Sequence, residues 1–346
     1  MTGRRSSFAL LLPFSSFHIL LSIAYYFIPL FPYSPNPYTP ILPLPFTHLI
    51  STKQLSRPDA EAILRVADDM EKIRKSGKGD LLHGKILAAL FYEPSTRTRM
   101  SFETAMIRLG GDVLTAEGIQ FSSLYKGETI EDTMQMVSQY ADIIAMRHPA
   151  QGSADLAIKT SKVPFINAGD GPGQHPTQAL LDLYTIQKEC GKIDDLKIAM
   201  VGDLRYGRTV HSLSFLLGLF KNVKFTLVAP KELTMPEKVT SFFDEKGIKY
   251  DQVDDIREGM DCDVMYMTRV QQERFTDKSE YERLKLKYVL EAKLLKGKKV
   301  AVMHPLPRVG EIKEDVDALP NAAYFRQAGN GVPIRMALLA MLLKKA

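Results

Sequence analysis

The sequence predicts an α/β protein with two doubly wound parallel-sheet domains, preceded by an N-terminal extension. Short apolar runs typical of buried parallel strands alternate with helical segments along most of the chain. The length of 346 residues suits two domains of ordinary size. From residue 48 onward the composition is that of a globular protein, whereas residues 1–47 are hydrophobic and rich in proline.

The first domain is predicted at residues 48–185. A buried parallel strand is predicted to begin at Lys85. It stops before Pro94, because proline cannot donate a hydrogen bond to a ladder. Helical spacing of apolar residues follows at 100–109. The other elements alternate, with strands predicted at 112–115, 143–146 and 164–167 and helices at 130–140 and 153–160.

The second domain is predicted at residues 186–330, and a helix at 177–189 joins it to the first. The pattern predicts strands at 197–201, 224–228, 263–267 and 299–303, with helices at 209–220 and 236–246. A strongly apolar final helix is predicted at 332–343. We assign the C-terminal residues 331–346 to the first domain, which they complete.

Residues 1–47 do not match the rest of the chain. Two arginines precede an uncharged stretch at 8–31 that is long enough to span a bilayer, and a proline-rich run follows. This pattern is typical of a signal or anchor segment, and the alternative is an extension that is not native to the protein. We therefore exclude residues 1–47 from the fold. The predicted location is the cytoplasm, with organelle targeting or membrane tethering through this segment as the alternative.

Charge and cysteine content exclude several classes of function. The net charge of +5 is modest and the basic residues are dispersed, so we expect no nucleic-acid partner. Cys190 and Cys262 lie far apart and lack the spacing of a metal site. We expect a reducing compartment, with neither disulfide nor metal.

The segment after the strand that begins at Lys85 has the features of an anion site. A strand that leads through a turn into a helix places free backbone N–H groups and the positive end of the helix dipole at one point. Ser95, Thr96 and Thr98 add hydroxyl donors there, and Arg97 adds a guanidinium that matches phosphate oxygens two at a time. The alternative is an ordinary helix cap with solvated arginines.

Polar residues also follow five other predicted strands. They are Arg147 and His148, His175 and Gln178, Arg208, Arg269 and Gln271, and the segment HPLPR at 304–308. Since ligands of open α/β sheets bind outside the carboxyl ends of the strands, we expect these side chains to line one cleft. No acidic pair, nucleophile–base pair or metal-ligand cluster stands out, so we expect catalysis by positioning and by charge stabilisation of an anionic substrate.

Seven motifs occur in an order and spacing that resemble one enzyme family. They are FYEPSTRTR, the loop that ends in KGE, MRHP, HPTQALLDL, GDLRYGRTVHSL, TRVQ and HPLPR. Together they resemble the catalytic chains of aspartate carbamoyltransferases over residues 49–343. The resemblance implies transfer of a carbamoyl group from carbamoyl phosphate to L-aspartate, an early step of pyrimidine biosynthesis. It implies no metal and no organic cofactor.

The resemblance also implies residue roles and an assembly. Carbamoyl phosphate would be bound by Ser95, Thr96, Arg97, Thr98, Arg147, His175, Gln178, Pro305, Leu306 and Pro307. Arg97, Thr98, Arg147 and His175 would be catalytic, and Lys126, Arg208, Arg269 and Gln271 would bind aspartate. Ser122 and Lys126 would reach into the site of a neighbouring subunit of a homotrimer, with regulatory chains left open. The sequence departs from some members at Tyr125, where they carry a second lysine.

Three alternatives stay open at this point. An ornithine carbamoyltransferase would share the phosphate site, but its cationic substrate needs a carboxylate where Arg208, Arg269 and Gln271 are expected. A non-catalytic or membrane-tethered binding protein could have the same fold. A dinucleotide-binding enzyme is disfavoured, because GxGxxG is missing after the relevant strands.

Overall fold

The structure is a computed structural model that describes residues 41–343 except 78, 120–122, 273, 274 and 276. Ser122 and most of the predicted N-terminal extension therefore lie outside the described residues. In the described part of the chain, no helix is both long and apolar enough to cross a membrane. Two parallel five-stranded sheets with flanking helices make up the fold, which confirms the predicted class.

The first sheet has the strand order β1-β5-β4-β2-β3. Its strands are β1 (His48–Leu49), β2 (Ile86–Phe91), β3 (Asp112–Glu117), β4 (Ile143–His148) and β5 (Phe165–Asp170). The helices of this part are α1 (Arg57–Ser76), α2 (Thr96–Arg108), α3 (Ile130–Val137), α4 (Ser153–Thr160) and α5 (Pro176–Cys190). The strand predicted to be buried, β2, pairs with β4 on one side and β3 on the other.

The second sheet has the order β10-β9-β6-β7-β8. Its strands are β6 (Lys197–Val201), β7 (Lys224–Val228), β8 (Lys249–Val253), β9 (Val264–Met267) and β10 (Ala301–Met303). The helices of this part are α6 (Arg208–Leu217), α7 (Glu237–Lys246), α8 (Lys278–Leu284), α9 (Ala292–Leu295) and α10 (Tyr324–Leu343). Cys190 and Cys262 are both free thiols.

Sequence patterns missed the shortest and most polar elements. β1 has two residues, and β8 reads KYDQV with only partial burial. Both are edge strands, so neither needs the continuous apolar run that identifies a strand buried on both faces. The short helices α8 and α9 were also not predicted, because four to seven residues are too few to show a helical period.

The final helix begins at Tyr324, eight residues before the predicted start at 332. Proline is common at the first position of a helix, so Pro333 favoured a predicted start at that point. The structure places this proline inside the helix. The earlier turns are held by tertiary contacts, since Tyr324 and Gln327 are both buried. Such burial outweighs the cost of about 3 kcal/mol that an interior proline imposes.

Helix α10 returns from the second sheet to pack against α1, α2 and α5 beside the first sheet. Nearly every side chain of its C-terminal half is buried. Leu44 is 1% exposed, so burial begins within the segment that was predicted to lie outside the fold.

Candidate active site

Three helices begin at the carboxyl ends of strands and point their N-termini at one cavity. Strand β2 leads into α2, β5 into α5 and β6 into α6, so the positive ends of three helix dipoles converge there. The cavity has a volume of about 470 Å³. Of the predicted site residues, it is lined by Ser95, Thr96, Arg97, Thr98, Arg147, His175, Gln178, Arg208, Arg269, Gln271, Pro305, Leu306 and Pro307.

The turn predicted to bind an anion is itself the first turn of α2. The helix begins at Thr96 and not at residue 100, and its first intrahelical bond runs from Arg99 N to Ser95 O at 3.1 Å. By helix geometry, the N–H groups of residues 96–98 therefore point out of the end of the helix. The Ser95 side chain makes no capping hydrogen bond. An anion at this end would meet backbone donors and hydroxyl donors together.

Positive charge dominates the cavity. Five arginines line it, namely Arg97, Arg147, Arg208, Arg269 and Arg335, against one carboxylate, Glu93. Glu93 Oε2 lies 2.7 Å from Arg147 Nη2 and 3.7 Å from Arg208 Nη2. The pKa of Arg147 is lowered to about 10, mainly by burial and then by the charge of Arg208, while Glu93 opposes the change. The cavity is thus a cationic site that an anionic ligand would stabilise.

Gly169 allows two of these arginines to approach the end of β5. A Cβ atom at this position would lie 3.0 Å from Arg147 Nη1 and 3.5 Å from Arg208 Nη2. The residue also has φ +123°, which side chains of L-residues rarely adopt. Any other residue here would crowd the Arg147 guanidinium and would only touch that of Arg208.

His175 lies at the start of α5 and is buried against the same arginines. Burial lowers its pKa well below 6.5, and the charges of Arg208, Arg147 and Arg335 lower it further. Nδ1 has no hydrogen-bond partner in the described part of the chain. The imidazole is therefore neutral near pH 7 and can donate one hydrogen bond to a ligand without adding a charge.

The depressed pKa of His175 predicts a pH dependence of stability. Below about pH 6.5 the unfolded chain binds a proton at this side chain that the folded protein does not bind. The free energy of unfolding should therefore fall as the pH drops, by up to about 1.4 kcal/mol per pH unit from this group. His175→Gln removes the proton uptake, so in urea titrations between about pH 7.5 and pH 5 the variant should lose less stability than the wild type. Equal losses in the two proteins would contradict the assignment of a neutral His175.

The segment that follows β10 is held by a buried histidine. His304 Nε2 lies 2.7 Å from Glu311 Oε1, and His304 Nδ1 accepts a hydrogen bond from Leu306 N at 2.7 Å. This pair of contacts requires the neutral tautomer with its proton on Nε2. Leu306 has φ +58°, so the contacts hold the backbone in a conformation that it would otherwise rarely adopt. Pro305, Leu306 and Pro307 of this segment line the cavity.

The second sheet presents its polar residues from two neighbouring strands. Arg208 opens α6 after β6, and its guanidinium donates to Gly171 O. Arg269 and Gln271 follow β9. Gln271 N donates to Asp203 Oδ2 at 3.3 Å, and Asp203 is fully buried, so this loop is tied to the end of β6.

Among the described residues, one predicted site residue does not line this cavity. Lys126 is exposed in a short 3₁₀ turn, and within one chain it does not line the cavity. Ser122 lies outside the described residues. The described residues also contain no group of three or more His, Cys, Asp or Glu side chains that could hold a metal ion.

Sequence reasoning missed two charged residues of the cavity, Glu93 and Arg335. Arg335 is 2% exposed and donates through Nη1 to Ser101 Oγ at 2.9 Å, so it ties α10 to α2. A signal for it existed in the sequence, because Arg335 is the single charge within the apolar stretch VPIRMALLAMLL. A charged residue in a helix that must be buried on most of its surface points to a buried partner or ligand.

The fold and the cavity together define a two-domain α/β enzyme that brings anionic substrates together between two parallel sheets. Family models agree with this class. The model for the aspartate/ornithine carbamoyltransferase carbamoyl-P binding domain matches residues 47–188, and that for the Asp/Orn binding domain matches residues 194–342.

Individual relatives narrow the family further. The aspartate carbamoyltransferase catalytic subunit of Methanocaldococcus jannaschii is 52% identical over 301 residues, which cover 86% of this chain and 98% of the relative. The chloroplastic aspartate carbamoyltransferase of Arabidopsis thaliana is also 52% identical and is covered over 77% of its length.

Solved structures give the same result. The M. jannaschii catalytic subunit superposes with a TM-score of 0.82 at 51% identity, and the match covers 87% of this chain and all of that one. Aspartate transcarbamoylase from Trypanosoma cruzi, solved in complex with carbamoyl phosphate and aspartate, superposes with a TM-score of 0.80 at 41% identity. That match covers 85% of this chain and 96% of the other. The chain belongs to the aspartate carbamoyltransferase catalytic subunit family.

Proposed function

We propose that this chain transfers the carbamoyl group of carbamoyl phosphate to the amino group of L-aspartate, giving N-carbamoyl-L-aspartate and phosphate. The observation that carries the proposal is the charge of the cavity, where five arginines face one glutamate between the two sheets. A phosphate dianion and a dicarboxylate supply the negative charge that such a site requires. A cationic substrate such as ornithine would add a positive charge to it.

The first sheet supplies the carbamoyl phosphate half of the site. Ser95, Thr96, Arg97 and Thr98 bind the phosphate with the N–H groups at the start of α2. Arg97 is exposed in the chain by itself, and only partial desolvation beside the cavity lowers its pKa. We propose residues 48–185, completed by the C-terminal helix, as this domain, and residues 186–330 as the aspartate domain.

Charge stabilisation accounts for the chemical step. The nitrogen lone pair of aspartate attacks the carbamoyl carbon, and negative charge builds on the carbonyl oxygen. The bond to the bridging oxygen then breaks, phosphate leaves with that electron pair, and the amine loses a proton. Arg147, His175 and Thr98 donate to the developing oxyanion. Both Arg147 and His175 are buried, so their positions need little reorganisation during the reaction.

The two remaining groups of the substrates have their own partners. Gln178 and the carbonyls of Pro305 and Leu306 accept from the carbamoyl NH₂, with Pro307 completing the wall. Arg208, Arg269 and Gln271 bind the carboxylates of aspartate. Holding the two substrates in line contributes about 7–11 kcal/mol in favourable cases.

A direct assay tests the proposal. The purified chain, supplied with carbamoyl phosphate, should release phosphate with L-aspartate and show a much lower kcat/KM with L-ornithine. Arg97→Ala, which removes a phosphate ligand without removing an acid or base, is the control for contaminating activity. A kcat/KM for ornithine that equals or exceeds that for aspartate would overturn the assignment.

We propose a homotrimer whose sites are shared between neighbouring chains. Exposed apolar side chains on α2 and β3 support this proposal. Met100 and Ile107 lie two turns apart on α2 and are both more than half exposed, and Leu114 on the neighbouring edge strand β3 is 49% exposed. An exposed apolar surface of this kind is typical of an interface between copies. Lys126, with Ser122 in the same loop, would then complete the aspartate site of the next chain.

Regulation and location are proposed in the same way. The relatives from M. jannaschii and other archaea are named catalytic subunits, which supports association with regulatory chains. We propose that the catalytic unit is cytoplasmic, with targeting through residues 1–47 as the alternative. The chloroplastic name of the A. thaliana relative supports that alternative. Imaging of residues 1–47 fused to a fluorescent protein separates the two.

A further inference from the structure

One carboxylate, Asp182 on α5, sits behind the cavity and is fully buried. It accepts three hydrogen bonds from three elements. Gln178 Nε2 on α5 donates to Oδ1 at 2.9 Å, and Gln327 Nε2 on α10 donates to the same oxygen at 2.7 Å. Tyr266 OH on β9 donates to Oδ2 at 2.8 Å. Asp182 therefore joins helices of the first sheet to a strand of the second.

This arrangement decides which end of the Gln178 side chain faces the cavity. The oxygen and nitrogen of a carboxamide have nearly the same shape, so packing alone cannot choose between them. An ionised carboxylate accepts hydrogen bonds and cannot donate them. Asp182 therefore holds Gln178 Nε2 toward itself, and Oε1 is left to act as an acceptor on the cavity side.

The same oxygen of Asp182 also acts on the segment after β10. With Nε2 held by Asp182, Gln327 Oε1 accepts from His304 N at 2.8 Å. His304 in turn holds Leu306 N, which fixes the backbone that presents the carbonyls of Pro305 and Leu306. Both sets of acceptors in the cavity are thus oriented from a single buried atom.

We propose that Asp182 is a positioning residue that makes the site selective for a carbamoyl group over an acetyl group. The inference rests on the proposed function. A carbamoyl group carries an NH₂ with two donors, and an acetyl group of the same size carries a CH₃ with none. Acceptors that are held toward this position form hydrogen bonds with the NH₂ of a carbamoyl group. They are left unpaired by the CH₃ of an acetyl group, so the site favours the carbamoyl ligand. Without the hydrogen bond to Asp182, Gln178 can turn its own NH₂ toward the NH₂ of the ligand. Two donors would then face each other.

Calorimetric titration of the trimer with carbamoyl phosphate and with acetyl phosphate measures this selectivity without turnover. The titrations are done at about pH 8.5, because burial raises the pKa of Asp182 to about 7 against the opposing hydrogen bonds from Gln327, Tyr266 and Gln178. Asp182→Leu removes both acceptor oxygens at similar volume. We expect the ratio of the two Kd values to fall about tenfold or more, through weaker binding of carbamoyl phosphate, with acetyl phosphate changed less than about threefold.

Two matched variants separate positioning from general damage. Tyr266→Phe removes a donor to Oδ2 and leaves both bonds to Oδ1, so it should keep the wild-type ratio. Asp182→Asn can keep an oxygen toward Gln178 and Gln327, so it should restore most of the ratio lost in Asp182→Leu. Equal weakening of both ligands by Asp182→Leu, or loss of the ratio in Tyr266→Phe, would overturn the inference.

A fallback keeps the test decisive if Asp182→Leu does not fold. Gln327→Met keeps the length of the side chain and removes its hydrogen bonds to Asp182 Oδ1 and His304 N, while the bond between Gln178 and Asp182 remains. We expect a loss of at least about threefold in the ratio. An unchanged ratio in this variant would then contradict the inference. The proposed function fails separately, if wild-type protein binds carbamoyl phosphate but does not carbamoylate aspartate.

Discussion

Replacement of Arg147 by alanine is expected to lower kcat/KM for carbamoyl transfer about 100- to 1,000-fold. A fixed donor to a developing oxyanion contributes about 2.7–4 kcal/mol to transition-state stabilisation. Arg147 is buried in the cavity, 2.7 Å from Glu93, where few water molecules could replace its guanidinium. Steady-state kinetics with carbamoyl phosphate and aspartate measure the change.

The free energy of unfolding of Arg147→Ala should not fall together with its activity. The lowered pKa of Arg147, caused mainly by burial and then by the charge of Arg208, means that the folded protein holds this cation at a cost. We therefore expect the free energy of unfolding of Arg147→Ala to stay within about 1 kcal/mol of the wild-type value.

Two controls bracket the Arg147 result. Arg147→Lys keeps the charge without the two-pronged geometry and should recover only part of the activity. Arg74→Ala removes an arginine that is paired with Glu71 on α1, outside the cavity, and should leave kcat/KM unchanged. An Arg147→Ala enzyme within threefold of wild type would show that this arginine does not act on the oxyanion.

Mixing two inactive variants is expected to restore activity if the sites are shared between chains. Arg97→Ala removes the charged ligand that we propose for the phosphate and should cost about 2–5 kcal/mol in kcat/KM. Lys126→Ala removes the cation that would reach the neighbouring site. In an equal mixture of the two, about one site in four combines an intact Arg97 from one chain with an intact Lys126 from the next. Activity should therefore rise to about a quarter of the wild-type value after subunit exchange.

The control for this experiment is a double variant that carries both changes on one chain. Mixed with Lys126→Ala, it supplies no intact Lys126 at all, so no hybrid site is complete and activity should stay at the parental level. If exchange is verified by mass and the Arg97→Ala and Lys126→Ala mixture also stays at that level, each site is built within one chain.

Local patterns were enough to place most elements and most of the cavity. The strands at 197–201 and 224–228 and the helix at 153–160 have the predicted bounds, because each is encoded by a short apolar or periodic run. Polar residues after parallel strands meet at one sheet edge, and this rule indicated most of the predicted residues that line the cavity, whereas the resemblance to the family supplied Pro305, Leu306 and Pro307. The start of α2 was placed four residues late, because hydroxyl and arginine side chains obscured the helical period there.

The sequence by itself determined the alternation of strands and helices, the hydroxyl- and arginine-rich turn at 95–98 and the excess of arginine at the strand ends. Each of these features is encoded by residues that are close in the sequence, and local propensity acts over such short stretches. Only the tertiary structure decided the ion pairs of Glu93, the burial of Arg335 and the orientation of Gln178. The last depends on Asp182, which is also bound by Gln327 from 145 residues away. Contacts over such separations form when elements pack, so no local pattern encodes them.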